Sequence, residues 1–268
     1  MSIEKYLRGL SIDAPTERFV TKGEPRIARG GGARTVRKGA AEKEGKPATL
    51  PEKLDAAVNA GSILSFVDAV AADEQRDILY SVQLAQRAAD KVYDRFAETK
   101  TWYGKYNEVL EAVGWTSEQY AFSAHKQEEG NLRMDKAALA VIANIAVGNQ
   151  LGAIEASIKA LEKMADDQNA ITLFDHYASA DLSGNFQIGA VQKSDKGSLS
   201  MALGAFYFRT TARRKKFLFF SWGSNEVNFW TAAQKMTFNL AIYDQVRADV
   251  EKKLGARAKE LIAAIDIS

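Results

Sequence analysis

Apolar positions recur with a helical period from about residue 49 to residue 178 and with a period of two after it. Thr49, Pro51 and Glu52 form a capping box with proline in the first turn, which predicts a helix start there. Residues 62–70 read as a short helix and 73–98 as a long one, with Ile78, Val82, Ala85, Ala89, Val92 and Phe96 on one face. Trp102, Tyr103, Tyr106, Val109, Leu110 and Val113 make the next amphipathic stretch, which Gly114 terminates. Residues 134–164 read as one central helix, because 137–147 is apolar on nearly every side. Ala140, Asn144, Gly148, Gly152 and Ala156 recur every fourth residue, so Gly148 and Gly152 are expected at a close helix contact.

Beyond Ala178 the alternation is that of strands. Phe186, Ile188 and Ala190 share a face of the first, Leu199, Met201, Leu203, Ala205 and Tyr207 a face of the second, and Leu218, Phe220 and Trp222 a face of the third. Further strands are expected around 227–230 and 236–238, and Ile242, Val246, Val250 and Leu254 mark a C-terminal helix. The fold class this predicts is α+β: an N-terminal helical bundle followed by an antiparallel β-meander of four to five strands, with a packed C-terminal helix. The expected organisation is an arm over 1–50, a helical region over 51–178 and the meander with its helix over 179–268, the last two sharing one core.

Composition narrows the class without naming a chemistry. The chain has 268 residues, 46% of them hydrophobic and 26% charged, which suits a globular protein and excludes disorder throughout. It has no cysteine, so disulfides, thiol nucleophiles and thiolate metal sites are excluded. The longest nearly apolar run, 137–147, falls short of the roughly 20 residues a spanning helix needs. The N-terminal residues lack a leader's apolar segment, which predicts a soluble protein, cytoplasmic or exported by a leaderless route. The net charge of +2 is unevenly spread: residues 1–50 hold 11 Lys/Arg against 6 Asp/Glu. Residues 21–49 carry Gly30, Gly31 and Gly32 among scattered cations and few bulky apolar residues, the composition of a flexible arm.

Candidate chemistry is sparse. His125 and His176 lack paired-ligand spacing, and no residue pattern calls for a metal or a cofactor. Asp175, His176, Asp181 and Ser183 come without a nucleophile elbow and read as a polar turn, while Asp166 and Asp167 read as solvated surface. The glycines before Arg34 lack the G-K-[ST] ending of a phosphate loop. The strongest signal is Arg209, Arg213, Arg214, Lys215 and Lys216, set between the aromatic runs 206–208 and 217–222, which reads as the cationic tip of a hairpin with buried strands. Those five cations are the expected anionic-surface site, with Phe208, Phe217 and Trp222 as aromatics entering the interface. Arg26, Arg29, Arg34, Arg37 and Lys38 are the candidate assembly arm.

The functional expectation is a non-enzymatic, oligomerising, membrane-directed protein of toxin or effector, pore-forming-like type. Its partners would be copies of itself and an anionic membrane surface, with no small-molecule substrate identified. A structural self-assembly protein that uses the N-terminal arm is the second reading. A low-specificity nucleic-acid-binding protein is the third.

Overall fold

The computed structural model describes residues 6, 55–117, 120–125, 131–164, 169–223 and 225–254. Its centre is three antiparallel strands: β7 (Ser183–Lys193), β8 (Leu199–Thr210) and β10 (Val227–Phe238). β8 pairs with β10 along its whole length, Leu199 facing Phe238 and Thr210 facing Val227. On the far side of β7 lies the hairpin β1 (Ala56–Asn59) and β2 (Ser62–Phe66), with β2 running parallel to β7. The short strands β3 (Trp115–Thr116) and β4 (Ser123–Ala124) pair with β10, and β6 (Ser179–Ala180) with β7, which completes an eight-stranded sheet. β5 (Leu132–Arg133) and β9 (Ser221–Trp222) form a separate two-stranded ribbon.

Helices cover both faces of the sheet. The first layer is α1 (Ala72–Val92), α2 (Thr99–Ala112) and α6 (Leu240–Leu254), whose Ile78, Trp102, Tyr106 and Tyr243 pack with Val191, Leu203 and Met236. The second is α3 (Met134–Ala143), α4 (Gln150–Lys163) and α5 (Asn169–Ala178), where Ile142, Ile154 and Phe174 meet Ile63, Phe186, Phe206 and Phe229. Alternate residues of each strand point to opposite faces, so odd-numbered residues of β7 and β8 serve the first layer and even-numbered ones the second.

The expected helical bundle is corrected by this arrangement: among the described residues the helices form two layers around a sheet. Of the predicted short helix 62–70, residues 62–66 are instead strand β2, paired with β1 in a hairpin. The turn places Ala60 at φ 52°, and Ala57, Leu64 and Phe66 face one layer while Ala56, Val58 and Ile63 face the other. A strand buried on both faces loses its alternation in sequence, which is why this segment reads as an apolar helix. The predicted helix 134–164 is two helices. Gly148 adopts φ 53° between them, and a Cβ there would run into the Gln192 side chain. Gln150 then starts α4: its Oε1 accepts the Val147 N–H at 2.9 Å and its Nε2 donates to Ala190 O and Ser200 O, both at 3.1 Å. Gly148 of the small-residue stripe lies in the turn between the two helices, and among the described residues nothing stands within 4 Å of where a Gly152 side chain would begin. The capping box at Thr49, Pro51 and Glu52 falls outside the described residues.

Candidate functional site

The basic stretch leaves the end of the β8–β10 hairpin as a long excursion over 211–226. Its base is closed by Thr210 N–H to Leu182 O at 2.8 Å and by Thr211 N–H to Glu226 O at 3.0 Å. The expected third strand over 218–222 is a 3₁₀ turn (Phe217–Phe219) followed by β9, which pairs with β5 rather than with β8. The cations are thus not the tip of a hairpin between two aromatic strands; they precede a loop that folds back into the core.

That return is fixed by aromatic packing. Phe217 stacks on Phe174 at 5.6 Å between ring centroids and lies against Phe208 at 4.9 Å and Phe186 at 5.5 Å. The Trp222 indole donates to Phe217 O at 3.1 Å. Phe208, Phe217 and Trp222 are 3%, 1% and 1% exposed, so in this conformation none is available to enter a membrane interface. Apolar area this large is worth about 1.5–3 kcal/mol per ring when buried, which explains why the aromatics sink and leave the adjoining cations at the surface.

The five cations take three different positions. Arg209 is exposed, and its guanidinium donates to Ser183 Oγ at 3.2 Å and Phe96 O at 3.3 Å. Lys216 is half-buried at φ 49°; its N–H donates to Asp175 Oδ2 at 2.6 Å and its ammonium to Met164 O, at the end of α4. Lys216 thus serves the fold by capping helical carbonyls. Arg213, Arg214 and Lys215 are exposed in sequence order, with the Arg214 guanidinium 4.8 Å from the centre of the Phe220 ring. His176 is held below its ordinary pKa by burial and by the nearby Arg213 charge.

Sequence reasoning missed the seat of this loop, Phe174 and Asp175 on α5. Asp175 meets Lys216 across 41 positions, and no local pattern announces such a pairing. The assembly-arm residues Arg26, Arg29, Arg34, Arg37 and Lys38, like Asp166 and Asp167, lie outside the described residues. Among the described residues no three His, Cys, Asp or Glu side chains are grouped to hold a metal, and no helix is long and apolar enough to cross a membrane.

No family model matches the chain, and no curated protein matches it. Among solved structures it is similar to a delta-endotoxin, with 13% identity, a TM-score of 0.44, and 80% of this chain and 96% of that one covered. It is similar also to the Evf virulence factor, with 14% identity, a TM-score of 0.33 and coverages of 80% and 86%. A third is the activated Cyt2Ba monomer from Bacillus thuringiensis subsp. israelensis, with 12% identity, a TM-score of 0.37 and coverages of 68% and 98%.

Proposed function

We propose that the protein is a non-enzymatic, membrane-directed protein of toxin or effector type that meets anionic surfaces through the 209–216 loop. The observation that supports this reading is the contiguous exposure of Arg213, Arg214 and Lys215 on a loop whose far end is locked into the aromatic core. Each cation near an anionic leaflet contributes about 1 kcal/mol, and Arg209 beside the loop adds a fourth. Contact of this kind is electrostatic and reversible. Insertion of Phe208, Phe217 or Trp222 requires the loop to leave its seat on α5, a second step after arrival.

Co-sedimentation with vesicles of phosphatidylcholine containing phosphatidylserine tests the reading. The full chain should bind at low salt and release at high salt, since charges of this kind are screened. The triple reversal Arg213→Glu, Arg214→Glu, Lys215→Glu should abolish binding while leaving the thermal midpoint in place. Equal binding by that variant, or no binding by the parent at low salt, overturns the reading.

A further inference from the structure

We propose, resting on the membrane reading above, that the cross-strand pair Tyr207 and Trp230 is the part of the protein that enters the lipid–water interface when the 209–216 loop meets an anionic surface. Tyr207 of β8 faces Trp230 of β10, and their rings stack at 4.6 Å between centroids with planes 8° apart. Three residues farther along each strand the pairing ends, at Thr210 and Val227, so the stack stands about 10 Å from the base of the basic loop. Arg209 lies in between, two residues from Tyr207 and on the same face of β8. Burial lifts the Tyr207 hydroxyl above its ordinary pKa and the Arg209 charge opposes the lift, which puts the guanidinium within reach of the phenol.

The distribution of tryptophans singles out this pair. Trp102, Trp115 and Trp222 are 0%, 2% and 1% exposed, whereas Trp230 is half-buried, and so is Tyr207. The core takes in the other three indoles and leaves this one at the surface, beside the loop that carries the exposed cations. A stacked pair of this kind steadies any sheet. Its surroundings point further.

The surface next to the pair is apolar or uncharged. Phe122 is half-buried and meets Tyr207 edge-on at 5.1 Å, and β4, whose Ala124 pairs with Trp230, exposes Ser123 and Ala124. Sheet edges are commonly guarded by charge, yet residues 120–124 carry none. Rings with polar tips, an uncharged strip and adjoining cations are together what an anionic leaflet accepts: its phosphates take the cations and its upper methylenes take the rings. Unlike Phe208, Phe217 and Trp222, this pair needs no opening of the loop to reach lipid.

Tryptophan emission tests the assignment on the full chain. Vesicles of phosphatidylserine with phosphatidylcholine brominated on its acyl chains quench an indole that reaches the methylenes. At low salt the parent should bind and be quenched. Trp230→Phe, which keeps an aromatic stack, should still bind, and its quenching should fall about fivefold because the other three indoles are buried. Tyr207→Ser with Trp230→Ser should still bind at low salt and should lose about tenfold of the binding that survives high salt. A pair that only steadies the sheet gives a parent that binds without quenching; that result, or quenching that survives Trp230→Phe, overturns the anchor and leaves the membrane reading standing. No binding at low salt overturns both. A dimer by light scattering whose Trp230 is shielded from acrylamide before lipid is added assigns the pair to a second copy and overturns the anchor as well.

Discussion

The two faces of the central strands differ sharply although the same residues of backbone supply both. Toward α3, α4 and α5, even-numbered positions of β7 and β8 present Phe186, Phe206 and Phe208, and Phe229 of β10 joins them. Phe186 stacks on Phe206 at 5.1 Å and Phe206 on Phe229 at 5.8 Å. Toward α1 and α2, odd-numbered positions present Asn185 and Gln187, and β2 adds Ser62, all fully buried. There hydrogen bonds join the apolar packing of Leu203 and Met236: Tyr103 donates to Asn185 Oδ1 at 2.7 Å, Asn185 Nδ2 to Arg95 O at 3.0 Å, and Gln86 Nε2 to Ser62 Oγ at 3.2 Å. One face holds its layer by non-directional burial. The other adds to its apolar contacts a seam of polar groups that must each find a partner, and Tyr106 and Asn59 retain buried atoms with none among the described residues.

The comparison breaks most visibly at the aromatic face. Phe206→Ala should lose about 3–5 kcal/mol, the range for deleting a fully buried phenyl ring. Urea denaturation would read this as a fall in midpoint with little change in slope. Because Phe217 leans on the same cluster through Phe186, the 211–220 segment should also become protease-sensitive in this variant.

Within the other layer, two helices are tied together by charge. Arg247 of α6 grips Asp77 of α1 with Nε at 3.0 Å and Nη2 at 2.7 Å, and the Asp77 side chain is 2% exposed. Arg247→Leu should cost about 2 kcal/mol at neutral pH, below the range for a fully buried pair because Arg247 is partly exposed. Burial already raises the Asp77 pKa above 3.8 against the pull of Arg247, and without the arginine it rises further. A raised carboxyl pKa means that the folded state holds the proton longer, so stability falls as pH rises through the window above 3.8. The deficit of the variant should therefore shrink as pH is lowered toward that window. A deficit that grows on acidification would refute the assignment.

How much of this was legible follows the same division. β7 and β8 announce themselves because their alternation is strong, Phe186 and Ile188 on one side and Leu203, Ala205 and Tyr207 on the other. The hairpin of residues 56–66 does not, since Ala, Val, Ile and Leu serve both faces and erase the period. Gly148 carried a real signal whose meaning was a turn at positive φ, and periodicity alone reads it as helix packing. At the candidate loop the cations were visible, but Phe217 and Trp222 read as interfacial because they neighbour charge in sequence. Their burial depends on Phe174, which lies 43 positions before Phe217.

A paired test sharpens the polar face at a smaller scale. Tyr103→Phe removes a hydroxyl that donates to Asn185 at 2.7 Å and strands the amide oxygen, which should cost about 1–2 kcal/mol. Tyr106→Phe removes a hydroxyl with no partner among the described residues and should be neutral or slightly stabilising. Thermal melts of the two variants side by side check the contrast. Equal losses would mean that the Tyr106 hydroxyl is satisfied by ordered water and that the seam is as well partnered as the aromatic face is packed.

The smallest expected effect separates the loop from the end of β4 by pH. His176, beside Arg213, is held below 6.5 by burial and then by that charge, whereas His125 is held below it by burial alone. For each, the unfolded chain takes up the proton at a higher pH than the folded one. Stability is therefore full above 6.5 and declines as pH falls below that value. His176→Gln should flatten part of that decline, and so should Arg213→Gln, because removing the arginine lets His176 protonate in place. Arg213→Gln should leave the part due to His125 untouched. Midpoints of urea unfolding at pH 7.5 and 5.5 read the difference. If Arg213→Gln steepens the acid slope instead, the charge beside His176 stabilises the histidine's neighbours more than it opposes its proton, and the electrostatic account of the loop's seat on α5 fails.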